Sequence, residues 1–372
     1  MRSRPLLSLC SMLFVAACSD SVMAPPADRD LGPSSLQTSA ATSVQITDLG
    51  TMGGLSSGAT AINDNGLIVG SSEVACPAPC PFDEPPVHAF VWQNGQFTDL
   101  GTTGGQNSHA NAINLAGAIV GSSAAVGEIE RATLWQNGQV TDLGTFGGAT
   151  SVAYGINATG VIVGTADQPP GQFVRFTGFV WQNGSKTSLG VLPGGDWSVA
   201  QGINKSGDIV GQGSSNIGAI RALLWRNGKI RDLGNLAQGS QTAFAVALAI
   251  NDARQIVGYS DTRKGTQHAF LFQSGTMTDL GLSPGIPPGS VTQAFGINNA
   301  GQIVGSMVAP GSLAHAVLWS GGVATDLGTL PKGNVSFAAG INTAGKIVGT
   351  ANTLITGSSI HHDHAATWVI NP

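Results

Sequence analysis

The sequence predicts an all-β protein, a seven-bladed β-propeller of four-stranded antiparallel blades. One unit recurs seven times, each unit alternates short apolar segments with Asn/Gly turns, and the first and last segments of the repeated region complement each other. Composition agrees. Of 372 residues 53 are Gly, and only 10% are charged against about 25% in typical globular chains, which describes tight turns and short strands rather than amphipathic helices.

The unit reads approximately GIN-x-x-G-x-IVG, a variable stretch, then HAFLW-x-NG-x-x-TDLG-T-x-GG. Its Ile-Asn pair ends at Asn63, Asn114, Asn157, Asn204, Asn251, Asn298 and Asn342, with spacings of 51, 43, 47, 47, 47 and 44. An aromatic closes the HAFLW element at Trp92, Trp135, Trp181, Trp225, Phe272, Trp319 and Trp368. Both series number seven, and the spacing suits a propeller blade rather than a solenoid coil of twenty-odd residues.

Four strands per unit follow from turn chemistry. Strand A is the small-residue segment ending at Ile-Asn (151–157, SVAYGIN), and strand B is the apolar run (160–164, GVIVG). The Asn-x-x-Gly between them suits a tight hairpin whose Asn side chain caps the turn and whose Gly takes a positive φ. Strand C is HAFVW, 88–92, and strand D is QFTDLG, 96–101, joined by Asn94-Gly95, a pair that recurs at 137–138, 183–184 and 227–228. The seventh unit supplies strand C in HAATWVINP, while SVQITDLG, 43–50, is an unmatched strand D. The N-terminal strand therefore completes the last blade and removes the free edge. A β-helix, the alternative, gives no reason for complementary ends.

The first residues read as a targeting segment. Arg2 and Arg4 precede an apolar run, Leu6 to Ala17, too short to span a bilayer, that ends in Val15-Ala16-Ala17-Cys18. This tetrapeptide resembles the lipobox of bacterial lipoproteins, which implies a signal peptide over 1–17 and lipidation of Cys18; an ordinary secretory peptide is the alternative. Ser19 in place of Asp then implies sorting to the outer membrane. Residues 18–43 read as a disordered tether and 44–372 as the ring. Cys76 and Cys80, in CPAPC, are expected to form a local disulfide. Net charge is −5, and −7 without Arg2 and Arg4, so no basic field attracts nucleic acid.

The HAF, INxxGxIVG and DLGTxGG elements resemble the extracellular HAF-repeat proteins of bacteria, over about Val44 to Ile370. Departures include Arg254 at a turn Gly, Ser188 at the Asp of DLG and Phe272 at a Trp. The resemblance implies location and architecture, and brings no catalytic residues.

Strands A to B and C to D turn on one face with nearly fixed length. The B to C loops and D to A crossings lie on the other face and carry the length variation, so sites are sought there. All four glutamates, Glu73, Glu84, Glu128 and Glu130, fall in those loops, where a carboxylate pair could serve acid/base hydrolysis and where charged residues also simply meet solvent. The run His361-His362-Asp363 is the most metal-like, although His364 occupies a repeat position held elsewhere by His88, His268, His315, Arg131 and Arg221, which points to a hydrogen-bond donor there. The Asp of DLG (Asp48, Asp99, Asp142, Asp232, Asp279, Asp326) is expected to accept backbone N–H bonds in the following crossing. Trp197, beside Asp196, belongs to no repeat position.

These features favour a monomeric, cofactor-free, non-enzymatic envelope module, held to the membrane by its acyl anchor alone. It presents loops to an extracellular glycan or envelope protein, with Asp196, Trp197, Glu128 and Glu130 as candidate contacts. No phosphate-binding loop, nucleophile constellation or HExxH motif is present. The competing reading is a polysaccharide hydrolase or lyase with a site assembled from several blades.

Overall fold

The computed structural model describes residues 43–76, 85–354 and 360–371. They form seven four-stranded antiparallel sheets, the blades of a propeller. Blades 1 to 6 span 53–99, 104–142, 151–188, 198–232, 245–279 and 291–326. In blade 3, strands A to D are Ser151–Ile156, Ile162–Asp167, Phe176–Gln182 and Ser185–Ser188. Blade 7 takes Ser336–Ile341, Ile347–Leu354 and His361–Asn371 from one end of the chain and Ser43–Gly50 from the other. Ser43 lies opposite Asn371 and Gly50 opposite Ala365, so the ring closes as the complementary ends predict. The A strands contact one another around the centre.

Backbone sterics explain the repeated glycines in two ways. The turn position after each Ile-Asn is left-handed, as at Gly160 (φ 81°) and Gly207 (φ 80°), and Arg254 adopts the same region (φ 64°) where its blade lacks the Gly. The Gly of IVG answers to crowding instead. Strand A is bulged in every blade, as between Ala200 and Gly202, and a Cβ on Gly211 would overlap the Val199 carbonyl oxygen. The C–D hairpins carry two successive positive φ values, 52° at Asn137 and 74° at Gly138, which match strand twist.

The seven Ile-Asn asparagines are buried and do two jobs. Each Oδ1 caps its own turn, as where the Val161 N–H donates to Asn157 at 3.0 Å. Each Nδ2 donates to the backbone carbonyl of the next blade's asparagine, from Asn63 to Asn114 (3.0 Å) and on around to Asn342, which returns to Asn63 (3.4 Å). Seven hydrogen bonds thus form a closed belt.

A second link joins blades further out. The Ser198 hydroxyl donates to the Gly190 carbonyl (2.6 Å) and accepts from the Gly178 N–H (3.0 Å), both in blade 3 or the crossing that leaves it. Ser57, Ser108, Ser151 and Ser336 repeat this arrangement. Between the links lie seven apolar clusters, each shared by two neighbouring blades, such as Val120 and Leu134 with Ile162 and Phe179. Complete burial of a side chain like Phe179 stabilises by about 1.5–3 kcal/mol. The strand-C aromatics belong to these clusters, and the Trp225 Nε1–H donates across a blade boundary to the Leu189 carbonyl at 3.0 Å.

Candidate functional site

Four of the DLG acids, Asp48, Asp99, Asp279 and Asp326, are hydrogen-bonded on both sides. In blade 1 the Asp99 Oδ1 accepts from the Gly101 N–H (2.7 Å) and its Oδ2 from His88 Nδ1 (2.7 Å). A carboxylate only accepts, so Nδ1 carries the proton. The His268–Asp279, His315–Asp326 and His364–Asp48 pairs repeat this at 2.9 Å, and Arg221 stands 3.6 Å from Asp232. The His of HAF and the Asp of DLG are thus one clasp between strands C and D, and these acids are not an open ring of ligands. In blade 7 the clasp ties the closing strand. The Asp48 hydrogen bond raises the His364 pKa above its ordinary value against the effect of burial. Burial pushes the Asp48 carboxyl up, but hydrogen bonds from His364 and the Gly50 N–H, with the His364 charge, hold it below its ordinary value.

On the loop face, the structure gathers a cluster around Trp197. The Trp197 ring lies 5.6 Å from Phe176, tilted by 31°, and the Arg175 guanidinium lies 5.6 Å from the Phe176 centroid. Asp196 holds the group together, accepting from Arg175 Nε (3.0 Å) and from the Ser214 hydroxyl (2.7 Å); the Ser214 bond leads the causes that lower its pKa. The neighbouring B–C loops of blades 3 and 4 leave Phe173 73% and Ile217 54% exposed. Trp197 itself is half-buried, its ring covered on one side by Phe176.

Glu128 and Glu130 lie apart from this cluster, in blade 2. The Glu128 carboxylate accepts from the Gln106 N–H at 3.1 Å, and Glu73 serves the Leu55 N–H in the same way at 2.8 Å. Glu73 therefore ties strand A to the end of strand B, and Glu128 ties strand A to the B–C turn of its blade. Glu130 accepts from the Ser122 hydroxyl (2.8 Å), with His109, whose pKa burial lowers, in the adjoining strand. Ser122 is fully buried, which closes its hydroxyl to substrate, while His109 and Glu130 are half-buried and Glu130 lies in strand C rather than in a loop. Glu84 lies outside the described residues.

The metal-like run is corrected by its secondary structure. His361, His362 and Asp363 open the strand His361–Asn371 rather than lying in a loop, and face Leu354, Thr353 and Asn352. Successive strand residues point to opposite faces, which separates His362 from the other two. His361 Nε2 lies 3.0 Å from the Lys332 carbonyl, and among the described residues no group of three His, Cys, Asp or Glu could hold a metal. Cys76 is in a disulfide, and Cys80 and Cys18 lie outside the described residues, as do the leader and nearly all of the tether. No helix among the described residues is long and apolar enough to cross a membrane.

The opposite face carries a feature that loop length does not reveal. Six of the Ile-Asn pairs, with Ile113 of the seventh, line a central cavity of about 260 Å³. At its mouth Asp252 accepts from the Lys205 N–H (2.9 Å) and Asn299 Nδ2 (3.0 Å), and Asp64 accepts from the Thr343 N–H (2.9 Å). The available signal was the residue after each belt asparagine. It changes from Asp64 to Leu115, Ala158 and Lys205 in turns of constant length.

No family model matches the chain, and no curated protein matches it. Solved structures show the fold. The chain resembles the β-propeller domain of the Trilobed protease from Pyrococcus furiosus (TM-score 0.51, 8% identity, 84% of this chain and 95% of that one), which has an open velcro topology. It also resembles uncomplexed Pyrococcus horikoshii acylaminoacyl peptidase (TM-score 0.50, 9% identity, 87% of this chain and 52% of that one). A puromycin-hydrolysing peptidase of Mycobacterium tuberculosis is similar to the same degree (TM-score 0.50, 9% identity, 81% and 50%). The chain spans about half the length of both peptidases. These likenesses define the fold, a propeller, and a fold does not by itself assign a role.

Proposed function

We propose that the chain is a non-enzymatic binding module of the cell envelope that presents the loop face of its propeller to an extracellular glycan or envelope protein. One observation carries this reading: the Trp197–Phe176 pair, braced by Arg175 and Asp196, adjoins two loops that carry Phe173 and Ile217 open to solvent. Aromatic rings on a rigid frame stack on sugar faces or pack on a partner at little cost in ordering. The HAF-type repeats and the acyl anchor expected at Cys18 would hold such a module at the outer membrane.

Binding of the full chain to a panel of bacterial and plant polysaccharides tests it, with Phe173→Ala and Trp197→Ala as variants. Saturable retention that both variants weaken, with thermal midpoint unchanged in Phe173→Ala, supports the reading. Retention indifferent to both variants moves the site elsewhere and sinks it.

The hydrolase or lyase reading needs acids free to act. Glu73 and Glu128 are tied to backbone amides, which disfavours them as an acid/base pair.

A further inference from the structure

We infer that the turn face holds a second, independent site, an oxyanion pocket between blades 4 and 5 in which Arg226, Arg231 and Arg254 take the phosphate, sulfate or carboxylate group of a small anionic ligand. The three arginines line one cavity of about 240 Å³, together with Asp208 and Phe272.

Each arginine breaks the repeat. Position 231 is Thr in the other six units (Thr47, Thr98, Thr141, Thr187, Thr278, Thr325), and position 226 is Gln at Gln93, Gln136, Gln182 and Gln273. Position 254 is Gly in the other six, and Arg254 is held there at φ 64°. A long side chain in the left-handed region is strained, and strain of this kind collects at sites that use it. Asp208 departs as well, since its equivalents, such as Leu67, Ala118, Val161 and Gln302, are never acidic. Four departures in a chain with 10% charged residues thus meet at one place.

The geometry is that of a receptor for an anion. Asp208 is 5% exposed and accepts from Arg254 Nε at 2.9 Å, with Arg226 Nε 3.4 Å away on its other oxygen. These contacts fix two guanidiniums by their Nε edges and leave the terminal nitrogens to other partners. Arg231 lies over the Phe272 ring, 5.7 Å from its centroid, at the position where other units carry Trp. One carboxylate against three guanidiniums leaves two positive charges uncompensated in the cavity. Neutralising Asp208 needs only one arginine. Planar guanidiniums in a fixed array match an oxyanion through paired hydrogen bonds.

Titration calorimetry of the full chain at low ionic strength tests the site, with inorganic phosphate, sulfate and glucuronate as probes. The variants restore what other blades carry: Arg231→Thr, and Arg254→Gly, which also relieves the backbone strain. Arg263→Gln removes a charge outside the cavity and serves as the matched control. Saturable binding of at least one anion is expected, weakened about tenfold or more by Arg231→Thr and by Arg254→Gly and unchanged by Arg263→Gln. The preferred probe separates a phosphoryl or sulfuryl ligand from an acidic sugar. Absence of saturable binding to all three anions overturns the inference. So does weakening by Arg263→Gln equal to that of the pocket variants, or wild-type affinity in both of them.

Discussion

Replacing Asn157 by alanine removes both functions of one belt residue. Asn157 is 5% exposed; its Oδ1 accepts from the Thr159 N–H (3.1 Å) and the Val161 N–H (3.0 Å), and its Nδ2 donates to the Asn204 carbonyl (3.2 Å). The Thr159 N–H lies in the exposed turn and can turn to water, whereas the Val161 N–H is left without a partner inside the hairpin. An orphaned buried donor costs about 1–3 kcal/mol, and loss of an ordinary hydrogen bond about 1 kcal/mol. The Asn204 carbonyl keeps its bond from the Gly207 N–H, so its loss belongs to the smaller class. Together these give about 2–4 kcal/mol for Asn157→Ala. Asn157→Asp keeps the capping acceptor but turns a carboxylate oxygen toward the Asn204 carbonyl and buries a charge, so at neutral pH it is expected to cost at least as much as alanine. Urea unfolding followed by tryptophan fluorescence reads both as midpoint shifts. A midpoint for the alanine variant equal to wild type, or an aspartate variant as stable as wild type at neutral pH, refutes this reasoning.

Other outcomes follow from named contacts. Gly211→Ala drives a Cβ into the Val199 carbonyl and is expected to prevent folding, while alanine at the open turn position Gly228 costs far less; circular dichroism of the two variants decides. The His364 pKa is raised and that of Asp48 lowered, so their clasp is expected to stabilise between those two values. The histidine share is lost as pH rises through the raised His364 pKa, and the aspartate share as pH falls through the lowered Asp48 pKa. Asp48→Asn should narrow the stability difference from wild type outside that window, and a pH-independent difference counts against the clasp. Burial pushes the Lys186 amine down to about 8, opposed by Asp142, while its Nζ donates to the Gly144 carbonyl. Stability should therefore rise with pH from about 8 toward the ordinary lysine value of 10.5, and Lys186→Met should flatten that rise in urea titrations across the range.

Much of the ring was legible because each blade repeats the same local chemistry. The Asn-x-x-Gly turn, the Asn-Gly hairpin and the unmatched strand SVQITDLG each fixed an element, and Arg254 could be seen as a misfit before its φ was known. The links between blades were not legible. The Nδ2 of Asn204 bonds a residue 47 positions away, in the next blade. Pairing of that kind depends on how blades stack, which periodicity does not specify. His361 to Asp363 read as part of a loop because nothing in the repeat marks where strand C begins, whereas they open that strand and its alternation divides them between two faces. Trp197 was visible as the aromatic without a repeat position, but its partner Phe176 and the brace from Arg175 to Asp196 required the fold.

Binding without turnover is tested most directly by incubating the full chain with the polysaccharide that retains it and analysing bound protein and released carbohydrate in the same sample. The expected result is saturable retention with no oligosaccharide released over prolonged incubation. Release of oligosaccharides in proportion to protein and time would contradict it and establish an enzyme.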